Sequence, residues 1–304
     1  MTTSMTEQKR QNLPGGLWVV ATPIGNLADL TPRARQALSE AHAILCEDTR
    51  RSAQLLSALT IGRPEGGLER VDAHATSGQI RKLVERLEKG ENFALVTDAG
   101  TPGISDPGGP LVKAALEAGI RVTPVAGISA VAALLSVSGF GGTAFVFRGF
   151  FPRKRGERKK ELELVRRSGA AGVWIWYESP NRIVEALEVF EGVSGRLIAG
   201  KELTKLHERL FAGEPAEVCR QVIEEVKREG EIGEWAFALE LELESSELEE
   251  ASEGAESSDW VKALECMLGA RVPASDAARR VSHVFGAPRK IVYERALKIS
   301  GKKE

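Results

Sequence analysis

The run Asp98-Ala99-Gly100-Thr101-Pro102-Gly103-Ile104-Ser105-Asp106-Pro107-Gly108 follows the apolar stretch Phe93 to Thr97 directly, so two carboxylates, three glycines and two prolines stand where a strand ends. Glycine allows backbone angles and close approaches that side chains forbid, and proline fixes the angles around it. Alternating the two gives a bent, stiff loop that presents main-chain groups and the carboxylates of Asp98 and Asp106 to a ligand's hydroxyls or amines. A strand-to-helix turn with a capping Asp needs only a few residues. The length and constraint of this one point to binding.

Other strand ends carry comparable residues. Leu17 to Ala21 reads as a buried strand delivering Thr22-Pro23-Ile24-Gly25-Asn26, and Ala43 to Cys46 as one ending in Glu47-Asp48-Thr49-Arg50-Arg51. Val122 to Val125 runs into Ala126-Gly127-Ile128-Ser129-Ala130. In open parallel sheets, ligands bind outside the carboxyl ends of the strands, so these four ends are expected to line one cleft. Neither a Walker loop nor a Gly-x-Gly-x-x-Gly run is present, which removes the main support for a nucleoside triphosphate or dinucleotide.

Helical patterns separate the strands: one begins at Thr31-Pro32, Ile80 to Leu87 is amphipathic, and Leu111 to Glu117 and Ile128 to Val137 complete the series. This alternation predicts an α/β fold with a parallel sheet covered on both faces. A second α/β unit is expected from Gly141-Gly142 onward. Its strands are expected at Phe145 to Phe147, Val173 to Tyr177, Leu197 to Ala199 and Trp235 to Leu241, with more antiparallel pairing. Helices are expected over Arg182 to Phe190 and Glu217 to Lys227. The expected domains are thus 15–140 and 141–243, preceded by a disordered terminus, 1–14. The segment 244–259, acidic and serine-rich with no base, reads as a solvated linker. Residues 260–304 read as a small basic domain of three short helices.

The chain has 304 residues, 42% of them hydrophobic, and a net charge of −2, the profile of a globular protein long enough for two domains. Cys46, Cys219 and Cys266 lie far apart with no Cys-x-x-Cys pair, so neither a disulfide framework nor a zinc site is suggested, and no metal is expected. With no signal-peptide pattern, this favours the cytoplasm. No apolar run approaches the roughly 18 residues that span a bilayer.

The stretches TPIGNLADLT, EDTRR, LVTDAGTPGISDPG, GISAVAALLS, FRGFFPRK, YESPNRI and KELTKLHE occur in this order. Together they resemble the tetrapyrrole methylase superfamily, and within it the ribosomal small-subunit RNA 2'-O-ribose methyltransferase I group. The resemblance spans roughly residues 15 to 243, with a weaker echo in the C-terminal helices. It implies two α/β domains with S-adenosylmethionine folded in the cleft between them, a homodimer, and methylation of a cytidine ribose in the decoding region of 16S RNA. It further implies that Asp98, Ala99, Gly100, Thr101 and Ile104 cradle the cofactor, that Ser129 and Ala130 touch it, and that Pro23 and Tyr177 close the pocket. A sulfonium cofactor with hydroxyls and an amine suits carboxylate and carbonyl acceptors better than phosphate-binding amide nests. Tyr177 reads equally as a core aromatic at a strand end.

Methyl transfer to a hydroxyl needs in-line placement of oxygen, methyl and sulfur, and a destination for the hydroxyl proton. Glu47 and Asp48 are candidate acceptors, with Arg50 or Lys201 placing a phosphate or stabilising a developing alkoxide. The two acids read equally as helix N-terminal charges complementing a dipole. His74 is a further candidate base, but its segment, Val71-Asp72-Ala73-His74-Ala75-Thr76-Ser77-Gly78, departs from the family's His-Asn-Glu, and a loop histidine reads more simply as solvated.

For RNA, the basic cluster Arg148, Arg153, Lys154, Arg155, Arg158, Lys159 and Lys160, interleaved with Phe147, Phe150 and Phe151, offers phosphate contacts and stacking faces. Arg51 is expected to assist, and Arg289 and Lys290, with Arg279 and Arg280, form a second candidate patch. Two other functions fit the fold: methylation of a corrinoid or other small tetrapyrrole, and noncatalytic RNA binding in ribosome assembly. The basic loop and the appended helices argue against the first, and the intact Asp98 loop against the second.

Overall fold

The computed structural model describes residues 13–140, 144–167, 172–241, 259–269, 272–285 and 287–300. Gly141-Gly142, most of the polar N-terminal stretch and most of the acidic segment 244–259 lie outside the described residues. The chain forms two compact units, Met1–Ala133 with Leu203–Leu206, and Leu134–Glu202 with His207–Glu304. The division therefore falls at Ala133/Leu134, before the composition change at Gly141.

In the first unit, β1 (Leu17–Val20), β2 (Ala43–Cys46), β3 (Leu68–Arg70), β4 (Phe93–Leu95) and β5 (Val122–Val125) pair in parallel in the order β3-β2-β4-β1-β5. Helices α1 (Pro32–Glu40), α2 (Thr49–Ala58), α3 (Ser77–Glu88) and α4 (Gly109–Glu117) connect them, and α5 (Ala130–Ser138) follows β5. Alternate strand residues face opposite ways, which splits the core in two. Trp18, Val20, Ile44, Cys46 and Ala94 pack with Ala34, Leu38 and Leu56 on one face. Leu17, Ala43, Leu45, Phe93 and Leu95 pack with Leu83, Leu87, Leu111 and Ala115 on the other. Continuous apolar runs such as Ala43–Cys46 are what a sheet covered on both faces requires.

The second unit holds β6 (Phe145–Phe150), β7 (Val173–Glu178), β8 (Gly195–Lys201), β9 (Arg209–Gly213) and β10 (Trp235–Leu241) in the order β6-β7-β10-β8-β9. Only β6 and β7 pair in parallel; the other neighbours are antiparallel. Helices α6 (Arg155–Arg167), α7 (Ile183–Leu187) and α8 (Pro215–Glu229) belong to it. The core centres on Phe151, Trp176, Phe190 and Phe237, whose rings meet at 5.3–6.1 Å between centroids. The C-terminal helices α9 (Asp259–Gly269), α10 (Ala274–Phe285) and α11 (Arg289–Ser300) enclose a small core of Leu264, Ala277, Ala278, Val281, Val292 and Ala296.

One expectation is corrected: the basic segment following Phe151 is helical from Arg155 on, not a loop. Arg158, Leu162 and Val165 form its buried stripe, and an arginine in the first of those positions hides the apolar period. No helix among the described residues is long and apolar enough to cross a membrane.

Candidate active site

The strands β2-β4-β1-β5 are neighbours, so the loops after them share one edge of the first sheet. The loop after β4 bonds to each of the other three. Thr22 and Gly100 exchange backbone hydrogen bonds, Thr22 N–H to the Gly100 carbonyl at 2.9 Å and Gly100 N–H to the Thr22 carbonyl at 3.1 Å. Thr101 donates its hydroxyl to the Ile128 carbonyl at 3.1 Å, and the Asp98 carboxylate accepts the Asp48 N–H at 3.3 Å. Asp98 also lies 3.2 Å from Arg51. Gly100 has φ +90, and a Cβ there would make only an ordinary 3.4 Å contact with Ile24 Cγ2, so it is the backbone angle that asks for glycine. Gly127 approaches Ala21 so closely that a Cβ would stand 2.8 Å from that methyl. The glycines thus permit both the turn and the close contact of loops. Pro23 is buried between Thr22 and Ile24, and Ala99, Ile104, Ser129 and Ala130 are partly exposed on the same loops or, for Ala130, at the first residue of α5.

Carboxylates dominate the electrostatics here. Burial, reinforced by Asp98 and Asp72, raises Glu47 above its ordinary value. Burial, with Glu47 and Asp98 adding, pushes Asp106 up to about 6. Mutually repelling acids of this kind favour a cationic ligand and oppose a phosphate. Asp98 can accept bonds from hydroxyl or ammonium donors, so the set fits a sulfonium cofactor carrying hydroxyls and an amine. Among the described residues no group of three or more His, Cys, Asp or Glu is arranged to hold a metal ion.

The remaining candidate acids and bases are placed differently. Asp48 is the N-cap of α2, accepting the Arg50 N–H at 2.8 Å, while the Arg50 guanidinium folds back onto both carboxylate oxygens. Those bonds hold Asp48 down at about 2, where a carboxylate is a weak base. The capping role anticipated for this acid is therefore present, and Arg50 is engaged by Asp48. His74 is exposed, its N–H bonded to Asp72 at 2.8 Å.

In the second unit, Lys201 does not present a free cation. Its ammonium is buried 3.0 Å from Glu225, itself buried on α8, with the Trp235 ring 5.8 Å away. Burying the charge without Glu225 would be costly, which explains the pairing. A different lysine, Lys205, lies in the segment Leu203–Leu206 that belongs to the first unit, where a Cβ on Gly25 would collide with its side-chain carbons. Glu202 and Thr204 beside it have φ +53 and +68, and strained backbone of this sort clusters at functional sites. The motif KELTKLHE contained both lysines; only burial distinguishes them.

Tyr177 packs between Phe147 and Phe150, with centroids at 4.8 and 5.8 Å. Among the expected RNA contacts, Arg153, Lys154 and Arg155 are exposed, with Lys154 3.5 Å from Glu157. Arg148 is neutralised by a two-pronged bond to Glu161. Arg158 is a correction: it is 2% exposed and bonds the Pro152 carbonyl and Glu185, so it braces the entry to α6 and is closed to phosphate. Phe151 is likewise buried. Arg279 and Arg280 both pair with Asp276, whereas Arg289 and Lys290 are exposed.

Residues 16–219 match the family model described as Tetrapyrrole (Corrin/Porphyrin) Methylases, and residues 255–300 match that of the RsmI C-terminal HTH domain. The chain is 40% identical over 289 residues to the ribosomal RNA small subunit methyltransferase I of Xylella fastidiosa (strain Temecula1), covering 92% of this chain and 98% of the relative. It is 36% identical to the protein of the same name from Haemophilus influenzae, covering 93% and 96%. The match to that from Pseudomonas aeruginosa is also 36%, covering 95% and 99%. Two solved structures share the fold at low identity. The methyltransferase CobJ has a TM-score of 0.53 and 19% identity over 75% of this chain and 95% of its own. Diphthine synthase has 0.54 and 15%, over 78% and 94%. The chain therefore belongs to the tetrapyrrole methylase family, in the group whose curated members are named ribosomal RNA small subunit methyltransferase I.

Proposed function

We propose that this protein transfers a methyl group from S-adenosylmethionine to the 2'-hydroxyl of a cytidine ribose in 16S RNA, in the decoding region of the small ribosomal subunit. The observation that carries the donor half is the loop after β4, which bears Asp98 and is bonded to the loops after β1, β2 and β5. The names of the relatives support the acceptor half.

S-adenosylmethionine supplies an activated methyl group on a positively charged sulfur. Asp98, Ala99, Gly100, Thr101 and Ile104 hold it, assisted by Pro23, Ser129 and Ala130, and Tyr177 contributes a further contact. Glu47 accepts the hydroxyl proton: its raised pKa matches that task better than Asp48, which is fixed as a helix cap. Arg153, Lys154 and Arg155 bind the RNA backbone, and Arg289 and Lys290 extend that contact, while Arg51 is engaged by Asp98. Lys201, Arg148 and Arg158 hold the second unit together.

The protein acts in the cytoplasm as a homodimer. Phe145, Val146 and Phe150 are exposed on the edge strand β6, apolar surface along an open sheet edge that a second copy would cover. Incubation with labelled cofactor and small subunits lacking the modification, followed by nuclease digestion and mass spectrometry, tests the reading. Label on a cytidine ribose is expected. Label on a base would overturn the 2'-O assignment, methylation of a macrocycle but not RNA would indicate a tetrapyrrole methylase, and absence of cofactor binding would indicate a noncatalytic assembly protein.

A further inference from the structure

The C-terminal helices contain a cavity of about 350 Å³ lined by Ser275, Arg289, Lys290 and Tyr293. Its size falls in the lower part of the range of small-ligand pockets, about 300–1,000 Å³. None of the four residues belongs to the core of these helices, which Leu264, Ala277, Ala278, Val281, Val292 and Ala296 fill. Tyr293 remains 40% exposed beside the buried Val292. An aromatic ring kept out of an available core, on the wall of a cavity, is a face on which another flat group can lie.

Charge separates these residues from their neighbours. Asp276, in the first turn of α10, pairs with both Arg279 and Arg280, at 2.5 and 2.9 Å. Both guanidiniums and the acid adjacent to Ser275 are thereby engaged, and the group as a whole keeps a net charge of about +1. Among the ion pairs of the described residues, neither Arg289 nor Lys290 appears, and both line the cavity. Two cations with no ion pair among the described residues, beside a hydroxyl donor, attract an anion, and the neighbouring ring adds a site for a flat, unsaturated group.

We propose that this cavity receives one unpaired nucleotide of an RNA strand, its phosphate held by Arg289, Lys290 and Ser275 and its base stacked on Tyr293. A duplex hides its base faces, whereas a single strand offers them, and stacking on an aromatic side chain with cations along the backbone is how such strands are gripped. The match of these helices to a helix-turn-helix description does not distinguish duplex from single strand; the exposed ring beside the two cations favours the single strand. The inference rests on the reading of the protein as an RNA methyltransferase and adds where, outside the methylase units, the substrate is held.

Fluorescence anisotropy of the full-length protein with labelled single-stranded oligouridylate, and with an RNA duplex, tests this across a range of salt concentrations. Tyr293→Leu is expected to weaken single-strand binding about tenfold without changing the salt slope, and Tyr293→Phe to bind as wild type. Arg289→Gln with Lys290→Gln is expected to lower the slope by about 0.7 for each phosphate no longer neutralised. Ultraviolet irradiation with a thiouridine-substituted strand should attach it to the peptide bearing Tyr293. Wild-type affinity in Tyr293→Leu, an unchanged slope in the double variant, or equal losses for the duplex would overturn the proposal. Wild-type methylation of small subunits, measured in parallel, separates the two readings: methylation with unaffected variants removes this site alone, and absence of methylation with the expected losses removes the assigned activity alone.

Discussion

Thr22 and Gly100 bond to each other through both of their backbone groups, joining the loop after β1 to the loop after β4 across the edge of the sheet. Gly100 does this at φ +90. Gly100→Ala places a Cβ in a backbone region that costs an ordinary residue about 1–2 kcal/mol. The substitution should lower the urea midpoint by a corresponding amount and weaken cofactor binding more than tenfold. Equilibrium unfolding and calorimetry measure the two effects, and unchanged cofactor affinity would separate the turn from the binding site.

Lys201 and Glu225 form a buried pair, and Glu225 is also bonded by Arg228, so it is removal of Glu225 that leaves a buried charge, Lys201, unsatisfied. Glu225→Gln should destabilise the protein by about 3 kcal/mol, Lys201→Met should cost less because Arg228 still partners Glu225, and the combined substitution Lys201→Met with Glu225→Leu should recover most of the larger loss. Denaturant unfolding of the three variants provides the comparison. A Lys201→Met protein of wild-type stability with a lowered methylation rate would return Lys201 to the catalytic machinery.

Arg158 and Arg155 lie on the same helix, α6, but differ in role. Arg158→Ala should lower stability by about 2 kcal/mol, because the Pro152 carbonyl and Glu185 lose their partner. Arg153→Gln, Lys154→Gln and Arg155→Gln together should leave stability unchanged and reduce the salt slope of RNA binding by about 0.7 for each phosphate these side chains neutralise. Thermal melts and anisotropy titrations read the two sets separately.

Much of this arrangement was legible in the sequence because its signals were local. Apolar runs ending in Gly, Pro and Asp marked β1, β2, β4 and β5 together with their loops. The strand β3, Leu68–Arg70, was not legible, because a three-residue edge strand with little burial carries no period. Neither was β9, whose mostly exposed residues resemble a loop. Helix α2 was hidden by polar Thr49-Arg50-Arg51-Ser52, although Asp48 is an ordinary cap for it. The choice of Lys205 over Lys201, and the burial of Arg158, depend on which side chains the fold encloses. Charge alone does not encode that.

Asp106 supplies a pH dependence. Its folded value, about 6, lies above the ordinary aspartate value of 3.8, so between those limits the native protein binds more protons than the unfolded chain. This contribution to stability is greatest at the acidic end of the window and is lost as pH rises to about 6. Asp106→Asn should remove that slope and raise the urea midpoint at neutral pH relative to wild type. Unfolding curves at several pH values test this, and parallel pH profiles for the two proteins would contradict it.

The central claim is that the Asp98 loop holds the methyl donor while RNA is held elsewhere. Paired titrations of Asp98→Ala, with S-adenosylmethionine by calorimetry and with small-subunit RNA by anisotropy, test it most directly. Loss of cofactor affinity by at least about tenfold, roughly the 1.4 kcal/mol expected of one charge-assisted hydrogen bond, with RNA affinity unchanged, is the predicted result. Wild-type cofactor affinity in a folded Asp98→Ala protein would contradict the account.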